Sequence, residues 1–120
     1  MRIVIDVRTA NDHFPGIGRY IVSLASALSQ VSPDLNISLL HDTSTSSMLL
    51  TLPALPIIGC PVSPFSIRQQ WVVPKKLRRA QATLYHSAYY LMPYFLPGLP
   101  TVLTCHDLIP LVYPQYFTSG

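Results

Sequence analysis

The chain has 120 residues, of which 49% are hydrophobic and only 11% are charged, and its formal net charge is +3. This length is enough for one domain with its own core. Glutamate is absent, so any acid–base chemistry must use an aspartate or a histidine. Cys60 and Cys105 lack metal-binding spacing, and the first residues form no signal peptide, so we predict reduced thiols in a cytoplasmic protein.

The first thirty residues predict a strand at 2–7, a glycine turn at 15–18 and a helix at 19–31, which opens a βαβ unit. Gly16 and Gly18 can take positive φ and let an anion approach the first N–H groups of the helix, or they can serve only as a tight turn. Apolar residues with helical spacing are expected to lie on a sheet: Ile17, Tyr20, Ile21, Leu24, Leu28 and Val31.

The rest of the chain alternates between strands and helices. Ser66 is expected to cap a helix that turns Ile67, Trp71 and Leu77 inward and is kinked or divided at Pro74. The last strand is a nearly continuous apolar run, which is typical of a buried parallel strand. The expected strands are 36–40, 56–59, 82–86 and 101–105. We expect irregular, apolar segments at 48–65 and 88–99 and an extended segment at 108–117.

This alternation predicts an α/β fold with a Rossmann-like, open, mainly parallel sheet flanked by helices. The strand ends carry His41-Asp42, His86-Ser87 and His106-Asp107, and the first strand ends near Asp6. Because parallel strands end at one edge, we expect a histidine-rich rim beside the glycine turn. His106 is the first candidate, since it follows the strand predicted to be most buried. Each histidine can equally be a packing residue, and Asp6 can simply hold the loop after it.

Several other ligands are not predicted. Ile21 replaces the third glycine of the dinucleotide fingerprint, and a G-K-[ST] motif is absent, so neither NAD nor ATP is expected. The histidines and aspartates lack tight ligand spacing, so no metal is expected. Five of the eight basic residues lie between Arg68 and Arg79, where the run 75–79 is either a solvated helix face or a contact with anionic lipid.

Three stretches resemble the N-terminal domain of the retaining glycosyltransferases called group 1 or family 4, which have the two-domain GT-B fold. The resemblance lies in 1–8 with 16–20, in 84–87 with 89–93, and in 100–110. It implies transfer of a sugar from a nucleotide-sugar donor to a glycan or lipid-linked acceptor in polysaccharide biosynthesis, with no metal or other cofactor. It also implies a cytoplasmic protein that contacts the inner face of the plasma membrane, with no nucleic-acid partner.

The resemblance further implies that residues 1–120 form one acceptor-side domain and that the family's C-terminal nucleotide-sugar domain lies outside this chain. We therefore expect the chain alone to be inactive. Two alternatives stay open: a non-enzymatic module that binds an anion or a protein partner, and a metal-dependent hydrolase that uses the His–Asp pairs. Carried over by position, the implied roles are catalysis for His106 and Asp107, donor-diphosphate binding for Gly16, Gly18 and Arg19, and acceptor binding for His86, Ser87 and Tyr89.

Overall fold

The computed structural model describes residues 1–11, 13–44 and 53–116. Three parts of the predictions lie outside these residues: Asp12 among the aspartates considered as metal ligands, residues 48–52 of the irregular apolar segment, and residue 117 of the expected extended tail. The described elements are β1 (Arg2–Asp6), α1 (Pro15–Val31), β2 (Asn36–His41), β3 (Ile57–Gly59), α2 (Gln69–Arg79), β4 (Leu84–Ser87), β5 (Thr101–Leu103), α3 (Ile109–Val112) and a 3₁₀ turn (Pro114–Tyr116).

The five strands form one parallel sheet with the order β3-β2-β1-β4-β5. The predicted Rossmann-like α/β fold is therefore confirmed. The chain steps outward from β1 to β3 and then crosses back to place β4 on the other side of β1. In sheets of this kind the ligand crevice lies outside the carboxyl ends of the strands, at the point where the direction of winding reverses. Here that point lies between β1 and β4.

Helix α1 covers one face of the sheet. Ile21 and Ala25 are fully buried against Ile5 of β1 and Leu39 of β2. The predicted apolar stripe is largely confirmed, except that Val31, the last residue of α1, is exposed. Helix α2 covers the opposite face, so β1 is buried on both sides. This double burial explains why the strand is an uninterrupted apolar run.

The start of α1 differs from the prediction. The helix begins at Pro15 rather than at residue 19, because proline has a helical φ and lacks the N–H that the first turn leaves unpaired. Gly16 and Gly18 are therefore helical. Among the described glycines, Gly98 is the one with positive φ. The expectation of a left-handed glycine turn before the helix is wrong.

The prediction of the inward face of α2 is confirmed for Leu77 and wrong for Ile67 and Trp71. Val73 and Leu77 pack on the sheet with Gln69, whereas Ile67 and Trp71 are exposed. Ile67 lies before α2, which begins at Gln69 after a turn in which the Ser66 carbonyl accepts the Gln69 N–H at 3.1 Å. Trp71 lies two residues, or about 200° around the helix, from the buried Val73 and is therefore on the outer face. Ser66 thus lies in that turn and does not cap α2. The helix runs through Pro74 as a single element.

Strand β5 is shorter and far less buried than predicted. It spans Thr101–Leu103, and all three residues are exposed because β5 is the edge strand of the sheet. The prediction that this is the most buried strand is wrong, since an apolar run does not distinguish an edge strand from a central one. The segment after β5 forms α3 and the 3₁₀ turn, so the expected extended tail is also wrong. No helix in 1–11, 13–44 or 53–116 is long and apolar enough to cross a membrane.

Candidate functional site

A cleft of about 250 Å³ lies where three segments meet at the carboxyl edge of the sheet. Its size is just below the roughly 300–1,000 Å³ of typical ligand pockets. The segments are the start of α1, the chain after β4 and the chain after β5. They contribute Phe14, Ile17, Tyr89, Tyr90, His106, Asp107, Ile109 and Pro110.

One wall of the cleft belongs to a cluster of aromatic rings. The ring centroids of Phe14 and Tyr89 are 5.6 Å apart, and both rings contact Phe65, at 6.1 and 6.0 Å. Tyr89 also stacks on Tyr90 at 4.3 Å, and its hydroxyl donates to the Tyr90 hydroxyl at 3.1 Å. Burial raises the pKa of Tyr89 to about 12, so this phenol stays protonated at neutral pH. The wall therefore offers flat apolar faces together with hydroxyl groups.

His106 is held in place at the cleft by two contacts. Its Nε2 lies 2.8 Å from the carbonyl oxygen of Ala88, and its ring meets Tyr20 edge-on at 5.1 Å. A carbonyl can only accept, so Nε2 carries the hydrogen, and in the neutral ring Nδ1 is left as an acceptor. The residue lies three positions beyond the end of β5 and is exposed, so it does not end a buried strand as predicted.

Asp107 follows His106 and begins the next helical turn. Its Oδ1 accepts the backbone N–H of Ile109 at 3.0 Å, and its carbonyl accepts from the Cys105 thiol at 3.1 Å. These bonds fix the loop that carries both cleft residues. His106 and Asp107 therefore present one imidazole and one carboxylate to the same cavity.

His86 and Ser87 lie behind the cleft and do not line it. The His86 Nε2 is 2.8 Å from the Thr104 hydroxyl, which is itself 3.1 Å from the Tyr20 hydroxyl. Burial lowers the pKa of His86, which favours the neutral ring. The Ser87 hydroxyl donates to the carbonyl of Tyr89 at 2.5 Å. Both side chains therefore make contacts that position cleft residues or their neighbours.

The glycine turn borders the cleft through Ile17. Gly16 is exposed, and an added Cβ would meet no atom within 4 Å. The Phe14 side chain makes no capping bond, and Pro15 has no N–H, so among residues 1–11, 13–44 and 53–116 no acceptor is found for the N–H groups of Gly16 and Ile17 at this end of α1. The Gly18 N–H is already bonded to the Phe14 carbonyl at 2.9 Å. Arg19 is exposed one position further along.

On the face of the sheet that α2 covers, a buried charged network fixes the end of β1. Asp6 accepts from Arg8 Nη2 at 2.6 Å and from the Tyr85 hydroxyl at 2.6 Å. Arg8 also donates to the Val62 carbonyl at 3.1 Å and to Gln69 Oε1 at 3.0 Å. Burial alone would lower the pKa of Arg8, but the Asp6 carboxylate reverses this and the pKa is raised. The backbone N–H of Arg8 also donates to Asp6, which confirms that Asp6 holds the loop after it.

Metal binding finds no support in this geometry. Across 1–11, 13–44 and 53–116, no three histidine, cysteine or acidic side chains come together as metal ligands. His41 is buried at the end of β2, and neither ring nitrogen has a hydrogen-bond partner among the described residues.

The structure brings together three of the eight predicted site residues, Tyr89, His106 and Asp107, as lining of one cleft. Gly16, Gly18 and Arg19 lie at the adjoining helix start, and His86 and Ser87 lie in the layer behind. Sequence reasoning missed Phe14 and Phe65. The position of Phe14 directly before Pro15-Gly16 could have indicated that its ring lies at the start of the helix. No local pattern indicates that Phe65 packs against Phe14.

Comparisons with known proteins add little to this description. No protein-family model matches the chain, and no curated protein matches it. Among solved structures, the NAD complex of UDP-glucose 4-epimerase from Thermus thermophilus is similar, with a TM-score of 0.44 and 20% identity. The similarity covers 72% of this chain and 23% of the epimerase chain. The assignment of a Rossmann-like fold rests on the strand order of the chain itself.

Proposed function

We propose that this chain is the acceptor-side domain of a glycosyltransferase that uses a nucleotide-sugar donor. The observation that carries the proposal is the cleft, because all three stretches that resemble the glycosyltransferase family contribute to it. Ile17 comes from the first stretch, Tyr89 from the second and His106 from the third. Ile17 and His106 are 89 positions apart in the sequence. The parallel sheet supports their convergence, because its strands end at one carboxyl edge.

The chemistry of the cleft suits a sugar. The faces of Tyr89 and Phe14 can cover the apolar face of a pyranose ring, while the tyrosine hydroxyls, His106 and Asp107 can bond its hydroxyl groups. In the neutral tautomer that donates Nε2–H to the Ala88 carbonyl, Nδ1 of His106 can accept a hydrogen bond from a sugar hydroxyl. In this proposal His106 and Asp107 act on the reacting sugar, and Tyr89 binds the acceptor.

The start of α1 suits the diphosphate of the donor. The Gly16 and Ile17 N–H groups and the positive end of the helix dipole favour an anion, and Arg19 can approach it from the side. The absence of a Cβ at Gly16 lets a phosphate come close to the backbone. No residue of the described chain is assigned to the nucleoside, and we propose that another domain binds it.

The test is saturation-transfer NMR with a panel of oligosaccharides and glycolipid head groups. We expect saturation to reach at least one glycan. Tyr89→Ala and His106→Ala should each abolish the signal, while Tyr116→Ala, which removes an exposed ring outside the cleft, should retain it. Binding that survives Tyr89→Ala, or no binding across the panel, would contradict the proposal. We also expect the chain alone to transfer no sugar.

A non-enzymatic module that binds a protein partner is the second candidate. Exposed apolar residues along the sheet edge and the following helix favour it: Val102, Leu103, Leu108, Ile109, Leu111 and Val112. This module would show no glycan binding in the NMR experiment. Substitutions on the edge of β5 would weaken its partner complex and leave the cleft unaffected.

A further inference from the structure

A second hollow, distinct from the cleft, lies between the start of α2 and the loop after β4. Its volume is about 350 Å³, within the range of ligand pockets. The turn before α2 contributes Phe65 and Ser66, α2 contributes Gln70, and the loop after β4 contributes Leu91 and Tyr94. We call the space lined by these five residues the outer hollow.

The Phe65 ring joins the outer hollow to the cleft. Its centroid is 6.1 Å from that of Phe14 and 6.0 Å from that of Tyr89, and both of these residues line the cleft. Phe65 is 58% exposed, so much of its ring is left uncovered by this packing. The three rings therefore form one aromatic surface that extends from the cleft into the outer hollow.

The polar groups of the outer hollow are held in place by hydrogen bonds. Oε1 of Gln70 accepts the backbone N–H of Tyr94 at 2.9 Å, which ties the loop after β4 to α2. Because this oxygen is the acceptor, the other end of the amide is the nitrogen, which carries two N–H donors. The neighbouring Gln69 is buried and donates through Nε2 to the Pro64 carbonyl at 2.6 Å, which fixes the turn directly before Phe65.

The chemistry of the outer hollow suits an uncharged ligand that carries hydroxyl groups. None of its described lining residues is charged, so an ionic ligand finds no opposite charge in the lining. Phe65 and Tyr94 offer ring faces, and Tyr94 is 82% exposed. The hydroxyls of Ser66 and Tyr94 and the amide of Gln70 supply both donors and acceptors. Aromatic faces next to such groups match a pyranose, which has an apolar face and a rim of hydroxyls.

We propose that the outer hollow is a second sugar subsite and that the acceptor is a glycan with at least two neighbouring sugar units. The first unit lies against Tyr89 in the cleft, and the second lies over Phe65 and bonds to Gln70 and Tyr94. This inference rests on the proposed function, because the cleft must hold the first unit. It adds the site of the second unit and the minimum length of the acceptor.

The test compares single sugars with their disaccharides by amide chemical-shift titration of the ¹⁵N-labelled chain. The probes are three matched pairs: glucose and maltose, galactose and galactobiose, and N-acetylglucosamine and chitobiose. For at least one pair, we expect the disaccharide to bind about tenfold more tightly, because it gains an aromatic contact and hydrogen bonds. The single sugar should shift cleft amides, and the disaccharide should also shift those of Phe65, Gln70 and Tyr94.

The outcomes separate a failure of this inference from a failure of the proposed function. Cleft shifts with equal affinity for both members of every pair would overturn the second subsite and leave the proposed function standing. Cleft amides that do not respond to any probe would overturn both.

Adjacent residues of one loop provide matched variants. Tyr94→Ala removes a ring of the outer hollow, whereas Phe95→Ala removes a ring that is 76% exposed but does not line it. Tyr94→Ala should lower the affinity for the disaccharide to that of the single sugar and leave the single sugar unaffected, and Phe95→Ala should change neither. An equal loss in both variants, or an equal loss for both sugars in Tyr94→Ala, would overturn the assignment to the outer hollow.

Discussion

The Tyr85 hydroxyl donates a hydrogen bond to Asp6 Oδ2 at 2.6 Å, and this bond joins β4 to the end of β1 inside the core. These two strands flank the point where the sheet reverses its direction of winding. Arg8 neutralises the same carboxylate and reaches across to the segment before α2. The end of β1 is therefore fixed by a buried charged network as well as by apolar packing.

Tyr85→Phe tests this network. The substitution removes one donor from a buried carboxylate, so we expect the free energy of unfolding to fall by about 1.5–3 kcal/mol. Urea denaturation of both proteins measures the difference. The control is Tyr116→Phe, since Tyr116 is exposed and its loss of a hydroxyl should change little. Equal stability of Tyr85→Phe and wild type would contradict the structure of the network.

His86 should make the fold sensitive to mild acid. Burial lowers its pKa below 6.5 in the folded state. As the pH falls below 6.5, the unfolded chain takes up a proton before the folded protein does, so the free energy of unfolding decreases. The decrease ends once the pH is below the folded pKa as well. We expect the urea midpoint of the wild type to fall between neutral pH and pH 5, and that of His86→Gln to fall less. An equal fall in both proteins would show that His86 does not cause the acid sensitivity.

Gly16→Ala should stabilise the protein. Gly16 lies in the first turn of α1 and an added Cβ meets no atom within 4 Å, so alanine costs nothing in the fold and restricts the unfolded chain. We expect a gain of about 0.5–1 kcal/mol in thermal or urea unfolding. Gly98→Ala is the opposite control, because Gly98 has φ of 71° and alanine is strained there. A loss of stability in Gly16→Ala would show that Gly16 is not helical.

Much of the architecture could be predicted from local pattern. The apolar run of β1, the helical stripe of α1 and the alternation that follows were sufficient for the Rossmann-like sheet, because each pattern reflects burial by a neighbouring layer. The polar residues after the strands could also be placed on one edge, since parallel strands end together. Tyr89, His106 and Asp107 meet there as cleft residues.

The errors arose where burial depends on partners distant in sequence. Val102 and Leu103 look like core residues, but β5 is an edge strand, and strand order is not encoded in its three residues. Trp71 was assigned inward, but it lies about 200° around α2 from the buried Val73 and is therefore exposed. The roles of His86 and Ser87 as supports behind the cleft depend on Thr104 and Tyr89, which no local motif reveals.

The central claim is that the cleft at the carboxyl edge of the sheet binds a sugar. The most direct measurement is an amide chemical-shift map of the ¹⁵N-labelled chain, titrated with the glycan that gives the strongest saturation transfer. We predict that the largest shifts occur at Tyr89, Tyr90, His106 and Asp107, with smaller ones at Ile17. Shifts confined to β5 and α3 outside the cleft, or absent at saturating glycan, would contradict the account and favour the partner-binding module.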